Sequence, residues 1–260
     1  MDSEVQPVIE VQGLDVRYGD FPVIREVSFS VNKGDIFIVM GVSGCGKSTL
    51  LKSMIGLHKP SSGKVLFYGK SFWDEEEEGQ KNMMRRFGVL YQSGALWSSL
   101  TVGENVALPL QLYTKLSKQQ VQEIVALKLS LVGLSGHEDF FPSGISGGMC
   151  KRVSLARAIA LDPDIIFFDE PSAGLDPINS RELDDLIIEL RDGLGATIVI
   201  VTHELASIFA IGNNSVFLDE TSKTMIATGD PKILLANSKD PRVVQFLKRG
   251  LPLVSAAVSL

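Results

Sequence analysis

The sequence predicts an α/β protein with antiparallel β pieces and an inserted helical subdomain, on three observations. Short apolar runs at Ile36–Met40, 165–168 and 198–201 are rich in β-branched and aromatic residues and bounded by Gly, Asp or Thr. Such runs suit strands covered on both faces. Helical segments alternate with them. From Leu96 to Leu161 the pattern turns helical, and the alternation resumes at Ile165.

Taken in order, 8–18 and 23–31 read as strands joined by a turn at Gly19-Asp20. Segment 35–40 is a short apolar strand entering a glycine-rich loop, 41–46, and a helix follows from Lys47 to about Leu57. Pro60-Ser61-Ser62-Gly63 has turn chemistry, and 64–68 is another strand. The acidic run 74–78 suits a solvated loop, or the first turn of a helix ending near Arg85-Arg86. A strand at 88–92 precedes helices over 102–112, 118–132 and 148–161. Strand 165–168, helix 178–191 and strand Thr197–Val201 follow, then a closing hairpin of 216–218 and Met225–Thr228. In the tail, Asp240-Pro241 pairs an N-cap with N1, Lys248-Arg249 supply C-terminal charge and Gly250 a stop. Val243, Val244, Phe246 and Leu247 give that short helix an apolar surface. It is too short to stand alone and must dock, on its own core or across on a second subunit.

At 260 residues the chain has room for one large α/β core carrying an insert. A net charge of −6 gives no electrostatic reason to expect nucleic acid as a partner. Cys45 and Cys150 have neither a C-x-x-C nor a zinc spacing, which points to a reducing cytoplasm. Met1-Asp2-Ser3-Glu4 opens without the basic and apolar regions of a secretory signal. No run approaches the roughly 18–20 apolar residues of a membrane span, so a soluble chain is expected.

Gly41-Val42-Ser43-Gly44-Cys45-Gly46-Lys47-Ser48 fits G-x-x-x-x-G-K-[ST] between an apolar strand and a helix. Glycines let the backbone curl so that successive N–H groups face one anion. The helix starting at Lys47 adds free N–H groups and its positive dipole end. Lys47 can reach the β- and γ-phosphates of a nucleoside triphosphate, and Ser48 is placed to ligate Mg²⁺. Cys45 reads as a filler rather than a reactive thiol. The fold expected is therefore that of a P-loop NTPase.

Ile165-Ile166-Phe167-Phe168-Asp169-Glu170 is a buried strand ending in two carboxylates. In such proteins the strand-end Asp holds magnesium, directly or through water. That assigns Asp169 to metal and leaves Glu170 to activate or orient the attacking water. His203 follows the last core strand, where α/β sheets place ligand chemistry, and suits a hydrogen bond to the γ-phosphate. His58 and His137 have no such setting and read as surface residues.

Ile145-Ser146-Gly147-Gly148-Met149, directly before a helix, resembles the LSGGQ signature of ABC ATPases, with Ile for Leu and Met for Gln. Tyr18 stands where that family stacks adenine and Gln92 where it has the Q-loop. Ser172-Ala173-Gly174-Leu175-Asp176 resembles the D-loop, and His203 the switch histidine. The resemblance covers about 8–228. It implies ATP and Mg²⁺ as cofactors, with Glu170, His203, Lys47 and Gln92 in hydrolysis. It implies metal contacts from Ser48, Gln92 and Asp169. It places Tyr18, Val23, Gly41, Ser43, Gly44, Cys45, Gly46, Lys47, Ser48 and Thr49 at the nucleotide. Ser146, Gly147, Gly148 and Met149 then face ATP held by a second copy of the chain, in a head-to-tail homodimer. The domains implied are a core of 1–95 and 162–229, a helical subdomain of 96–161 and a C-terminal extension of 230–260.

Ser146-Gly147-Gly148-Met149 with Lys151-Arg152, Ala156-Arg157-Ala158-Ile159, Gln92-Ser93-Gly94-Ala95-Leu96 and the tail Asp240-Pro241-Arg242-Val243-Val244-Gln245-Phe246-Leu247 are similar to Mla/Mce-type lipid-transporter ATPases. That resemblance implies phospholipid movement between inner and outer membranes, from the cytoplasmic face of the inner membrane. The partners it implies are a permease, an MCE-domain lipid-binding protein and a STAS-domain subunit. Leu96-Trp97 would lie near a groove for a short permease helix, or pack within the insert. The rivals are an ABC transporter of other cargo, a non-transport ABC protein without the coiled coils or second cassette those carry, and a binding module that does not hydrolyse.

Overall fold

The computed structural model of the chain describes residues 7–249. Strands β1 (Ile9–Tyr18) and β2 (Phe21–Val31) reverse at Gly19, whose φ of 58° favours glycine. Next, β3 (Ile36–Met40) runs through the glycine loop into α1 (Lys47–Met54). Then come β4 (Ser62–Phe67), β5 (Lys70–Ser71), α2 (Glu77–Met84) and β6 (Phe87–Leu90). The insert comprises α3 (Val102–Tyr113), α4 (Lys118–Leu131) and α5 (Gly147–Ala158). Reciprocal capping boxes, Thr101 with Glu104 and Ser117 with Gln120, start α3 and α4. The chain returns through β7 (Ile165–Asp169), α6 (Pro177–Leu194), β8 (Thr197–Val201), α7 (Leu205–Ile211), β9 (Asn214–Leu218) and β10 (Met225–Thr228). It continues in α8 (Pro231–Asn237) and α9 (Pro241–Lys248).

Two sheets result. One is antiparallel, in the order β2-β1-β4-β5; the other runs β10-β9-β3-β8-β7-β6 and is parallel except for β10. Alternation along the parallel strands decides the layers. Phe37, Val39, Ile165, Phe167, Val199 and Val201 face the antiparallel sheet and α1. Their neighbours Ile36, Ile38, Met40, Ile166, Phe168, Ile198 and Ile200 face the helical side. Every one of these side chains is essentially solvent-free.

The expected elements form, with shifts at their ends. The helix after the glycine loop stops at Met54, where Ile55 caps it and Gly56 turns left-handed. The signature helix runs Gly147–Ala158, one residue early and three residues short of the sequence reading. The acidic run becomes the solvated entry to α2, with Glu77 and Glu78 in its first turn. α9 begins as expected on Asp240, and Val243, Phe246 and Leu247 dock on the chain's own core, Phe246 edge-on to Phe217. Gly250 lies outside the described residues. His58 and His137 are half-buried at the surface, their rings hydrogen-bonded to the Arg17 and Ser135 carbonyls.

Candidate active site

β3 is inserted between β8 and β9; the chain leaves it for β6 at the far edge, whereas β9 connects the opposite way to β10, so the direction of the connections switches between β9 and β3. The carboxyl ends of strands beside such a switch form the ligand crevice of doubly wound sheets. Here β3 delivers the glycine loop, β7 delivers Asp169-Glu170 and β8 delivers His203.

The loop needs its glycines sterically as well as conformationally. Gly41, Gly44 and Gly46 have φ of 146°, 85° and 103°. A side chain at Gly41 would run into the Leu218 carbonyl and the Cys45 sulfur, and one at Gly46 into Val23 and Ile24. The cradle is thus backed by β9 and flanked by β2. Lys47 is buried and bends over it, its Nζ donating to the carbonyls of Gly41 (2.9 Å) and Val42 (3.1 Å). Ser43, Gly44 and Ser48 are exposed and Thr49 is half-buried. No side chain caps α1, so its first N–H groups face outward for an anion. The Cys45 side chain lies in the core, where burial pushes its thiol pKa up, and its N–H donates to Val42. An inert thiol follows.

The two acids diverge. Asp169 Oδ1 accepts from Ser48 Oγ at 3.2 Å, a hydroxyl–carboxylate pair of hard oxygens that fits Mg²⁺. Burial raises the Asp169 pKa; Ser48 and the Lys52 and Lys47 charges oppose the rise, and Glu170 adds to it. Glu170 turns the other way at a left-handed φ of 49°, its N–H donating to the Val201 carbonyl at 2.8 Å. Its Oε1 lies 2.8 Å from His203 Nδ1. Its Oε2 is buried and has no partner among the described residues. A carboxylate oxygen left without a partner has lone pairs available to a water proton.

Tyr18 is 48% exposed at the β1–β2 tip, opposite Phe21 and 4.7 Å from the His58 ring. Val23, farther along β2, leans on Gly46 together with Ile24. Ser146 caps α5 by accepting the Met149 N–H at 3.2 Å, which leaves its O–H free to donate. Ser146 and Gly147 are exposed, and a Cβ at Gly147 would meet nothing within the chain. Met149 packs against the core. Ser146, Gly147 and Gly148 line a 620 Å³ cleft with Gln92, Ala173 and Asp176, to which neither Met149 nor the phosphate loop contributes. Among the described residues no hydrogen bond joins Gln92 to Ser48 or Asp169. The cleft and the phosphate cradle thus share no lining residue.

Three anchors were not read from the sequence. Lys151 ties α5 to the carbonyls of Pro171 and Ala173, and Arg157 ties it to those of Gly94 and Ala95. Asn105, fully buried, donates to the carbonyls of Trp97, Leu100 and Thr101 and accepts from the Trp97 N–H. A cation on a helix ordinarily reads as solvated, and acceptors 20 or more residues distant leave no local pattern. Asn105 had a faint signal, a polar residue on the apolar face of α3.

A sequence model of the ABC transporter family matches residues 24–173, from β2 through the glycine loop and signature to the acid strand. The chain belongs to the ABC transporter family. It is an ATP-binding subunit with the ABC ATPase fold. This ABC ATPase is 40% identical over 243 residues to the intermembrane phospholipid transport system ATP-binding protein MlaF of Haemophilus influenzae, covering 94% of the chain and 91% of that protein. It is also 40% identical over 239 residues to the probable ribonucleotide transport ATP-binding protein mkl of Mycobacterium leprae, covering 92% and 68%. Among solved structures, the dimeric, post-hydrolysis ATP-binding cassette MJ0796 bound to ADP and Pi aligns with a TM-score of 0.78 at 26% identity, covering 85% and 98%. Among the described residues of this ABC ATPase, no helix is long and apolar enough to cross a membrane.

Proposed function

We propose that this ABC ATPase hydrolyses ATP within a two-fold dimer and thereby powers phospholipid movement through a partner permease. The observation that carries the chemistry is the divergence of the strand-end acids, Asp169 toward Ser48 and Glu170 toward His203. In this reading Lys47 and the glycine cradle bind the triphosphate, and Tyr18, with Val23 behind it, supports the adenine. Ser48 and Asp169 hold Mg²⁺, with Gln92 closing on it; the ion, when bound, neutralises developing phosphate charge. Glu170 accepts the proton of the attacking water as the bond between the β-bridging oxygen and the γ-phosphorus breaks, leaving ADP and phosphate. His203 orients Glu170 and the γ-phosphate. Ser146, Gly147 and Gly148 of the second copy meet that phosphate from the other side.

The proposed domain division follows the same logic: 1–95 and 162–229 hold the nucleotide, 96–161 presents the signature, and 230–260 extends the cassette. The phospholipid assignment rests on the name of the Haemophilus relative and the coverage of both chains. It brings with it a place at the cytoplasmic face of the inner membrane, and MCE-domain and STAS-domain partners. The Mycobacterium relative's name favours a second cargo, ribonucleotides. Purifying the chain with its membrane partners and identifying what co-purifies by mass spectrometry separates the two. Phospholipid enriched over the surrounding membrane supports the first reading; bound nucleotides beyond ATP and ADP, with lipid at background, overturn it.

A further inference from the structure

The signature helix α5 carries Lys151 one turn after Ser146-Gly147-Gly148. Lys151 is only 8% exposed, and two main-chain carbonyls receive its protons, Pro171 at 2.5 Å and Ala173. Burying an ammonium is costly unless such partners are supplied. Burial holds its pKa down while the charge of Glu170 works the other way. Both acceptors belong to the turn that Glu170 opens and the Ala173 N–H closes on the Glu170 carbonyl at 3.1 Å. Glu170 sits in that turn at a φ of 49°, a conformation a glutamate keeps only when its surroundings impose it. The shape of the turn decides where the carboxylate that meets His203 points.

We propose that Lys151 is a positioning residue that locks the Glu170–Ala173 turn to the signature helix, coupling the hydrolytic carboxylate of one nucleotide site to the signature that serves the other. This rests on the proposed roles of Glu170 and of the paired chains. Lys47 and Ser48 are untouched by Lys151, so its removal acts on turnover and not on capture of ATP. Lys151→Met keeps the length and apolar contacts of the stem and deletes the donors; Lys151→Arg keeps charge and donors.

ATPase kinetics of the full chain, with parent and Glu170→Gln proteins alongside, provide the test. The expected result is a kcat for Lys151→Met lowered about tenfold or more, a KM for ATP within about twofold, and recovery of most of the rate in Lys151→Arg. Should Lys151→Met fail to fold, Lys151→Gln, which can still donate to one carbonyl, must show the same split of kcat from KM. The inference is overturned if these variants turn over within about twofold of the parent, or if kcat and ATP affinity fall together with Lys151→Arg no better. If Glu170→Gln loses activity and Lys151→Met does not, the coupling alone is wrong. If Glu170→Gln stays active, the assignment of the base fails and takes this inference with it.

Discussion

At Asp184, on the face of α6 that packs against α7, burial pushes the carboxyl pKa up to about 6 from an ordinary 3.8; the Ser207 hydroxyl opposes the rise and Asp185 adds to it. Ser207 Oγ makes no hydrogen bond of normal geometry, so its relief is partial. A carboxyl whose pKa is raised on folding binds its proton more tightly in the native state. Its contribution is therefore fully present below about pH 4 and is lost as pH rises through 6. The difference corresponds to about 3 kcal/mol at most. Asp184→Asn should raise the unfolding midpoint at pH 7.5 and raise it clearly less at pH 4.5, read by denaturant titration at both. Equal effects at the two pH values would place the cost in something other than ionisation. Glu170 illustrates the same scale in another way: one left-handed residue aims one carboxylate, and its neighbour Asp169 aims the other.

Among the elements, α5 has the widest reach. Its first turn is the signature, Lys151 holds the turn after Glu170, and Arg157 holds the segment after Gln92. That segment leads to Trp97, which is 60% exposed and lines a 420 Å³ groove with Leu57, Met84, Leu112 and Tyr113. Trp97 is thus not packed within the insert, and Asn105 holds its backbone. Trp97→Ala should lower permease-stimulated ATPase several-fold while sparing the basal rate of the isolated subunit. Equal loss of both would argue against docking in this groove. Strands, the glycine loop and the capped helices were legible because local patterns specify them. The Asp240-Pro241 start of α9 was read, whereas the same signal at Asp230-Pro231, which opens the seven-residue α8, passed unread. α7 has no side-chain cap and is only seven residues long, so nothing marked it. Lys151 and Arg157 were invisible as anchors because their acceptors are main-chain carbonyls brought near only by the fold.

For the whole molecule, the relation between the Lys47 cradle and the Ser146 cleft is decisive. The cleft around Ser146 shares no lining residue with the cradle around Lys47, and under the proposed function a phosphate gripped by both needs two chains. Under that proposal, removal of the phosphate by hydrolysis opens the pair and turns a chemical step into a movement. Gly147 offers a clean probe: its conformation is ordinary, a side chain there meets nothing in its own chain, and a carboxylate suits a helix start. The most direct measurement is light scattering of the Glu170→Gln protein, 28.2 kDa per chain, with Mg²⁺ and either ATP or ADP, with and without Gly147→Glu. A dimer bridged by the γ-phosphate gives twice the single-chain mass with ATP only, and a single-chain mass for the double variant although it still binds ATP. A double variant that dimerises with ATP as readily as Glu170→Gln alone would contradict it.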